Sequence, residues 1–544
     1  MANDQPTVAL KQGTYKGKLD QNPDYPVPIE AWLGIRYAQA PLGSLRFARP
    51  RPLPPNNETF TATNFGYRCP GKQLLAVTDL PEPSEDCLTV NVFKQQGSGK
   101  GKLLPVMVYL HGGAFNRGTA AMHNTGGMVA HSTESFIGVS FNYRLGALGF
   151  LNSKLTAKEG VLNLGLHDQR LLLEWVQENI GIFGGDASNV TLVGLSAGAH
   201  SIAHHIMNVN EKRKLFHGAV IESGASTSRA VHPYDSKLHE SQFQEFLQAT
   251  GCPQDLDQDK TLSFLRDLPT EVVQAAQTKV FDAYNPSLRW AWQPVIDGEI
   301  INRRPIDAWK SGKWHHVPII TGFVENEGSM YVPRTMSQNK EFRRFFAMLL
   351  PQLTSTDLDT IEALYPDPAK DLKSPYIDIR DASYGFGQQC KRVEAAYGQY
   401  AYVAPVRQTA KLGSAGQAPP IFLYHWALRS SVANGANHGD QMWYEGMDEK
   451  VRQVSPTHDK IARCFHDYVC SFIVTGDPNA VPGSTSDRPS WSAFGEGGKT
   501  MVFGQDNDER FGGSRIGIVA ECVDDSWARK EAEFWSEKSE HTED

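Results

Sequence analysis

Gly194-Leu195-Ser196-Ala197-Gly198 is the segment of this chain best equipped for covalent chemistry. A serine hydroxyl is a weak nucleophile until a neighbouring base takes its proton. A serine on a sharp strand-to-helix turn presents its oxygen clear of the backbone, and that turn needs small residues on both flanks. The surroundings fit. Val190 to Val193 is a short β-branched run that predicts a strand, and Ala199-His200-Ser201 reads as the small-residue start of a helix. The first N–H groups of such a helix have no intrahelical acceptor and face the serine. Alone the pentapeptide is weak, because glycine and serine are common; its place between strand and helix gives it weight.

Acyl transfer at a serine builds negative charge on the carbonyl oxygen. Backbone N–H groups fixed at that point stabilise it, each by about 3–4 kcal/mol. His111-Gly112-Gly113-Ala114-Phe115, after the apolar run Val106 to Leu110, is the candidate; the plain alternative is a tight turn after a strand. The nucleophile also needs a base, and the base an orienting carboxylate. With 17 histidines, composition cannot choose the base. Glu325-Asn326-Glu327-Gly328-Ser329 and Asn437-His438-Gly439-Asp440 each follow an apolar run. Glu325 and Asp307 compete for the carboxylate role. His425 sits within a strand pattern and His458 opens a helix pattern, where structural roles are expected.

Elements must bring these segments together. Val106 to Leu110, Ile137 to Asn142, Val190 to Val193, Ala219 to Ile221, Val317 to Ile320 and Ile421 to Tyr424 predict short buried strands. Leu171 to Ile180, apolar at 172, 175, 176 and 180, has helical spacing. Trp527, Phe534 and Trp535 suit a last helix docked on the core. Buried strands alternating with helices imply the α/β class: a large, mostly parallel sheet covered by helices on both faces, with long insertions. The chain reads as a single domain over 1–544, with a core over about 7–535 and a polar tail at 536–544.

Composition narrows the partners. The 544 residues are 40% hydrophobic and 21% charged, too apolar for a disordered chain. A net charge of -8 argues against phosphate-backbone binding, and Lys212-Arg213-Lys214 reads as a solvated face, so no nucleic acid is expected. No long apolar run predicts a membrane anchor. The seven cysteines show no metal or redox spacing. The sequons at Asn57 and Asn189 read as chance matches.

The chain resembles the type B carboxylesterase/lipase family of α/β-hydrolases, which includes the cholinesterases. Pro41-Leu42-Gly43 with Leu45-Arg46-Phe47, Ser84-Glu85-Asp86-Cys87-Leu88 and Asn142-Tyr143-Arg144-Leu145-Gly146 match its signatures. So do Asp168-Gln169-Arg170, Phe183-Gly184-Gly185-Asp186 and Gly476-Asp477-Pro478-Asn479. The resemblance implies Ser196 as nucleophile, Glu327 as acid and His438 as base. It implies the N–H groups of Gly113, Ala114 and Ala197 as oxyanion donors, and no cofactor or metal. It implies a disulfide between Cys69 and Cys87.

Departures from the pattern bear on substrate. Leu195 stands where the family usually has glutamate, and Met330 where cholinesterases have an aromatic. No Trp, Tyr or Phe lies between Cys69 and Cys87, where cholinesterases carry a tryptophan for cation–π binding. Choline esters are therefore not expected. Leu288, Trp290 and Trp292 match the segment that shapes the acyl pocket, with Phe115, Tyr331 and Trp443 as further pocket candidates.

The expected activity is a fungal- or microbial-type serine carboxylesterase acting on small-molecule, uncharged esters. A lipase with a lid at Leu74-Leu75-Ala76-Val77 ranks lower. An acyltransferase, lactonase or cyclase would use the same residues, and a non-catalytic binding protein would use the fold alone. The opening residues, MANDQPTVAL, lack a secretory pattern, and Cys252 lacks the family's partner cysteine. Both predict a cytoplasmic rather than a secreted protein.

Overall fold

Short β-branched and aromatic runs, closed by glycine or proline, supply the strands that carry the site. The computed structural model describes residues 5–72, 80–228, 231–416, 418–485, 487–495 and 497–542, the last three as backbone. The strands of its large sheet are β1 (Lys18–Asp20), β2 (Ile29–Arg36), β3 (Thr89–Gln95), β4 (Leu104–Leu110) and β5 (Ile137–Phe141). They continue with β6 (Gly185–Leu195), β7 (Gly218–Glu222), β8 (Ile319–Val324), β9 (Ile421–Trp426), β10 (Lys499–Phe503) and β11 (Ala520–Asp524). Their spatial order is β1-β2-β3-β5-β4-β6-β7-β8-β9-β10-β11. β5 to β10 pair in parallel around β4 and β6, and antiparallel strands close both ends. A separate small sheet joins Thr7–Leu10, Gly13–Lys16 and Thr59–Thr61.

Five helices matter for the site: α1 (Leu164–Asn179), α2 (Ala197–Met207), α3 (Ala404–Gly413), α4 (Pro456–Thr475) and α5 (Arg529–Thr542). Successive strand residues point to opposite faces. Val106, Val108 and Leu110 of β4 accordingly pack with Leu172, Val176, Ile202 and Val406. Met107 and Tyr109 pack on the other face with Ile461, Phe465 and Tyr468 of α4. Both faces are covered, so the central strands read as continuous apolar runs. This is the α/β-hydrolase fold.

Several segments of the sequence pattern become fixed braces. Arg46 grips Glu85 with two hydrogen bonds of 2.8 and 2.6 Å, and Arg144 grips Asp168 with two of 2.8 and 2.7 Å. Both pairs are buried, where a bidentate guanidinium–carboxylate fork adds orientation as well as charge balance. Cys69 and Cys87 form a disulfide, and Cys252 is free. The lid segment Leu74 to Val77 lies outside the described residues.

Two boundaries differ from the sequence reading. β8 begins at Ile319, because Pro318 has no N–H for a ladder, and it runs on to Val324. The polar tail expected from 536 instead begins inside α5, where Gln408 donates to the buried Ser539 hydroxyl at 2.9 Å. Trp535 of that helix is 2% exposed and donates to the Tyr365 hydroxyl.

A pair of carboxyls lies in the core beside β7. Glu222 ends that strand and Glu445 closes the short helix Gln441–Glu445; neither is exposed. The Tyr424 hydroxyl donates to Glu222 at 3.3 Å, and His123 Nε2 stands 3.2 Å from Glu445. Burial pushes Glu445 up to about 8, and burial with the adjacent Glu445 pushes Glu222 well above the carboxylate range. The folded protein therefore holds protons here that the unfolded chain releases above about pH 4.5. Stability from this pair is lost as pH rises from the ordinary carboxylate value towards 8. We expect Glu445→Gln to flatten that loss, read as urea midpoints between about pH 5 and 8; equal slopes for variant and wild type would refute it. Trp535→Ala should cost about 3–5 kcal/mol in the same assay.

Candidate active site

Ser196 sits where β6 passes into α2, with φ 57° and ψ -120°. That conformation is sterically costly for a residue with a Cβ, by about 1–3 kcal/mol, and persists only where the surroundings impose it. Here they do. The Ser196 N–H donates to the Glu222 carbonyl at 2.9 Å. A Cβ at Gly198 would stand 2.0 Å from the Leu110 carbonyl oxygen, and one at Gly194 2.8 Å from Ile202. The flanking glycines thus let helix and strands close around the turn. The Ser196 side chain does not cap its own helix, which leaves its oxygen uncommitted there.

Glu327 follows β8 and is 1% exposed. Its Oε1 accepts the Val324 N–H at 2.9 Å, and its Oε2 accepts the Nδ1–H of His438. Asn326 and Asn437 form a parallel bridge between the two loops, and the Ser329 hydroxyl donates to Asn437 at 3.0 Å. The histidine is clasped between Tyr402 (4.6 Å between ring centroids) and Tyr331 (5.3 Å). Its Nε2 is buried and has no hydrogen-bond partner among the described residues. The rival groups are otherwise occupied. Glu325 lies 3.8 Å from Arg429, and Asp307 pairs with Arg304 at 2.8 Å. His425 packs on Trp527 and Phe323, and His458 accepts or donates with the Tyr444 hydroxyl at 2.7 Å.

Two loops meet the serine turn. A Cβ at Gly439 would stand 3.1 Å from Leu195 Cδ2, so the histidine loop packs on the residue before Ser196. A Cβ at Gly112 would stand 3.1 Å from Ser196 Cβ, so the glycine loop after β4 packs on the serine itself. Gly113 has φ 119°, with the Arg117 carbonyl 2.0 Å from where a Cβ would be, which excludes any side chain. Ala114 and Phe115 follow at φ 54° and 60°. Tyr143 stacks on His111 at 4.3 Å and donates to its carbonyl at 2.7 Å, fixing the loop's root. Among the described residues, no protein acceptor takes the N–H of Gly113, Ala114 or Ala197.

The pocket candidates separate. Phe115, Leu288 and Trp290 line one cavity. Tyr331 joins that wall to the histidine, 5.5 Å from Trp290. Gln293 and Asn116 tie the Leu288–Gln293 segment to the glycine loop through the Ala114 and Ala291 carbonyls. Trp292 is a core residue: its indole donates to the Gln277 carbonyl and meets Phe246 edge-on. Met330 is 50% exposed, and Trp443 packs against the second core layer. Leu195 is nearly buried in that layer. His200, His204 and Arg289 line the cavity and were not singled out from the sequence. His200 and His204 repeat every four residues from Ser196 along α2, a helical signal that was readable. Tyr402 had no such signal, because it lies in a π-helical turn, Gln399–Val403. Among the described residues, no cluster of His, Cys, Asp or Glu is placed to hold a metal ion, and no helix is long and apolar enough to cross a membrane.

Comparison with known proteins gives the same family. The model of the carboxylesterase family matches residues 4–518. A secreted lipase of Gibberella zeae, Secreted lipase 4, is 36% identical over 87% of this chain and 83% of its own. Lipase 1 of Geotrichum candidum is 32% identical over 62% of this chain and 67% of its own. The crystal structure of Aspergillus niger EstA superposes with a TM-score of 0.83 at 26% identity, covering 100% of both chains. The likeness to fungal lipases and EstA favours a fungal or microbial carboxylesterase over a cholinesterase. The expectation of a cytoplasmic protein is corrected by the secreted relative, which matches most of the chain. An opening segment and one unpaired cysteine carry little information about compartment. The fold, the strained serine turn and these matches agree: the chain belongs to the carboxylesterase family and is a carboxylic ester hydrolase of the serine type.

Proposed function

We propose that this chain, acting as one α/β-hydrolase domain, cleaves non-cationic carboxylic esters through an acyl-enzyme on Ser196, with His438 as base and Glu327 as its orienting acid. The observation that carries the reading is the buried Glu327–His438 hydrogen bond, with His438 Nε2 lacking a partner among the described residues, on a loop that packs against the residue before the strained Ser196. Catalytic hydrogen bonds often tighten only when substrate arrives, so an open Nε2 suits a resting enzyme.

The chemistry follows from the atoms. Ser196 Oγ attacks the carbonyl carbon as its proton passes to His438 Nε2. The carbonyl oxygen becomes an anion facing the N–H groups of Gly113, Ala114 and Ala197. Glu327 holds Nδ1–H in place and stabilises the imidazolium. The imidazolium returns its proton to the leaving alcohol oxygen. Water then attacks the acyl-serine, losing its proton to His438, and the acid departs as Ser196 is restored. Leu195 leaves no carboxylate beside the serine to attract a cationic substrate. The Cys69–Cys87 disulfide suits an oxidising compartment.

Hydrolysis of p-nitrophenyl esters from acetate to palmitate, beside Ser196→Ala, tests the reading. We expect turnover that the variant lowers by about 10⁴-fold or more, with its fold retained. The chain-length optimum separates an esterase from a lipase. Glu327→Gln should lower kcat by about 10³–10⁴-fold. A folded wild type that cleaves none of the series, or an active Ser196→Ala, would refute the proposal.

A further inference from the structure

Two triplets of the chain, Asn57-Glu58-Thr59 and Asn189-Val190-Thr191, have the Asn-x-Thr pattern that accepts an N-linked glycan. They read as chance matches in a cytoplasmic protein, and that compartment is now corrected. Cys69 and Cys87 are joined, which suits a chain that folds in an oxidising lumen, and a secreted relative matches most of the sequence. The fold then separates the two triplets.

Asn57 stands in the loop that enters Thr59–Thr61, the outer strand of the small sheet. The backbone on either side of it is pinned. The Asn56 N–H donates to the Lys11 carbonyl at 2.9 Å, and the Thr14 N–H donates to the Glu58 carbonyl at 2.9 Å. The Glu58 N–H donates to the Asn56 side chain at 2.7 Å. Asn57, Glu58 and Thr59 are all exposed. Among the described residues, none hydrogen-bonds to the Asn57 carboxamide or the Thr59 hydroxyl, and no strand pairs with the far side of Thr59–Thr61. A branched sugar rooted at Asn57 therefore displaces no native contact. Asn189 is placed differently. It lies within β6, its amide donates to the Val474 carbonyl of α4 at 3.2 Å, and Thr191 is 3% exposed. A group as bulky as a glycan on Asn189 would have to part β6 from α4.

We infer that Asn57 is an N-glycosylation acceptor of this chain and that Asn189 is not. The donor is a lipid-linked oligosaccharide diphosphate of the secretory pathway. Asn57 Nδ2 loses one proton to solvent and bonds to the anomeric carbon of the first N-acetylglucosamine. The bond from that carbon to the diphosphate oxygen breaks, and the lipid diphosphate leaves with the electron pair. Nothing is oxidised or reduced. The hydroxyl at residue 59 is part of the recognised triplet, so the assignment depends on Thr59 as well as on Asn57. The acceptor sits on the small sheet, outside the Ser196, Glu327 and His438 loops, and is independent of the ester-hydrolase reading.

The test expresses the full chain in yeast behind a secretion leader. Its peptides are mapped by mass spectrometry before and after peptide N-glycosidase, which turns a glycosylated asparagine into aspartate. Medium and cell-bound fractions are both mapped, so poor export hides nothing. We expect a glycan on Asn57 and none on Asn189. The glycan should be lost in Asn57→Gln and in Thr59→Val, and kept in Thr59→Ser. Thr59→Val retains a β-branched side chain in the strand, so loss there reports the hydroxyl rather than the fold. An unmodified Asn57 in chains whose leader has been removed, a glycan that survives Thr59→Val, or a glycan on Asn189 would overturn the inference.

Discussion

A serine turn that no relaxed backbone would adopt is the constraint around which this structure is arranged. Ser196 has a Cβ, yet it holds φ 57° because β6, β7 and α2 close on it from three sides. The Glu222 carbonyl fixes its N–H, and Gly194 and Gly198 allow the neighbouring strand β4 to approach within contact of the helix start. Any larger residue at those two positions would force helix and sheet apart. The parallel sheet supplies the rigidity, since both of its faces are buried and its central strands cannot slip without exposing a layer.

The other site loops are positioned by the same sheet. The glycine loop leaves the end of β4, the Glu327 loop leaves β8 and the His438 loop follows β9, so all open at the same carboxyl edge. That edge is where open α/β sheets place ligands. The Asn326–Asn437 bridge and the Glu327–His438 hydrogen bond then lock two of the loops to each other. The tyrosines at 331 and 402 exclude water from the imidazole and connect it to the cavity wall. Local strain is thus borne by global packing, which is how a functional turn survives in a marginally stable molecule.

Much of this was legible from residues alone. The β-branched run before Gly194 and the small residues after Ser196 specified a strand, a turn and a helix, and the structure has all three. The alternating strand and helix patterns specified the parallel sheet. Other features depend on distances that the sequence does not encode. Trp292 and Trp290 are two residues apart with the same indole, yet one finds the Gln277 carbonyl in the core and the other faces the cavity. The left-handed turn at Trp292 decides which, and nothing in Trp-Ala-Trp announces it. Met330 took an exposed position although its neighbour Tyr331 packs on the histidine.

Labelling with a serine-reactive fluorophosphonate, read by intact mass and peptide mapping, tests the central claim most directly. It reports whether Ser196 is nucleophilic, independently of which ester the protein prefers. The account predicts one adduct per chain, located on Ser196, absent from Ser196→Ala and strongly slowed in His438→Gln. A folded protein that takes no label, or takes it at another residue, would contradict the account at its root.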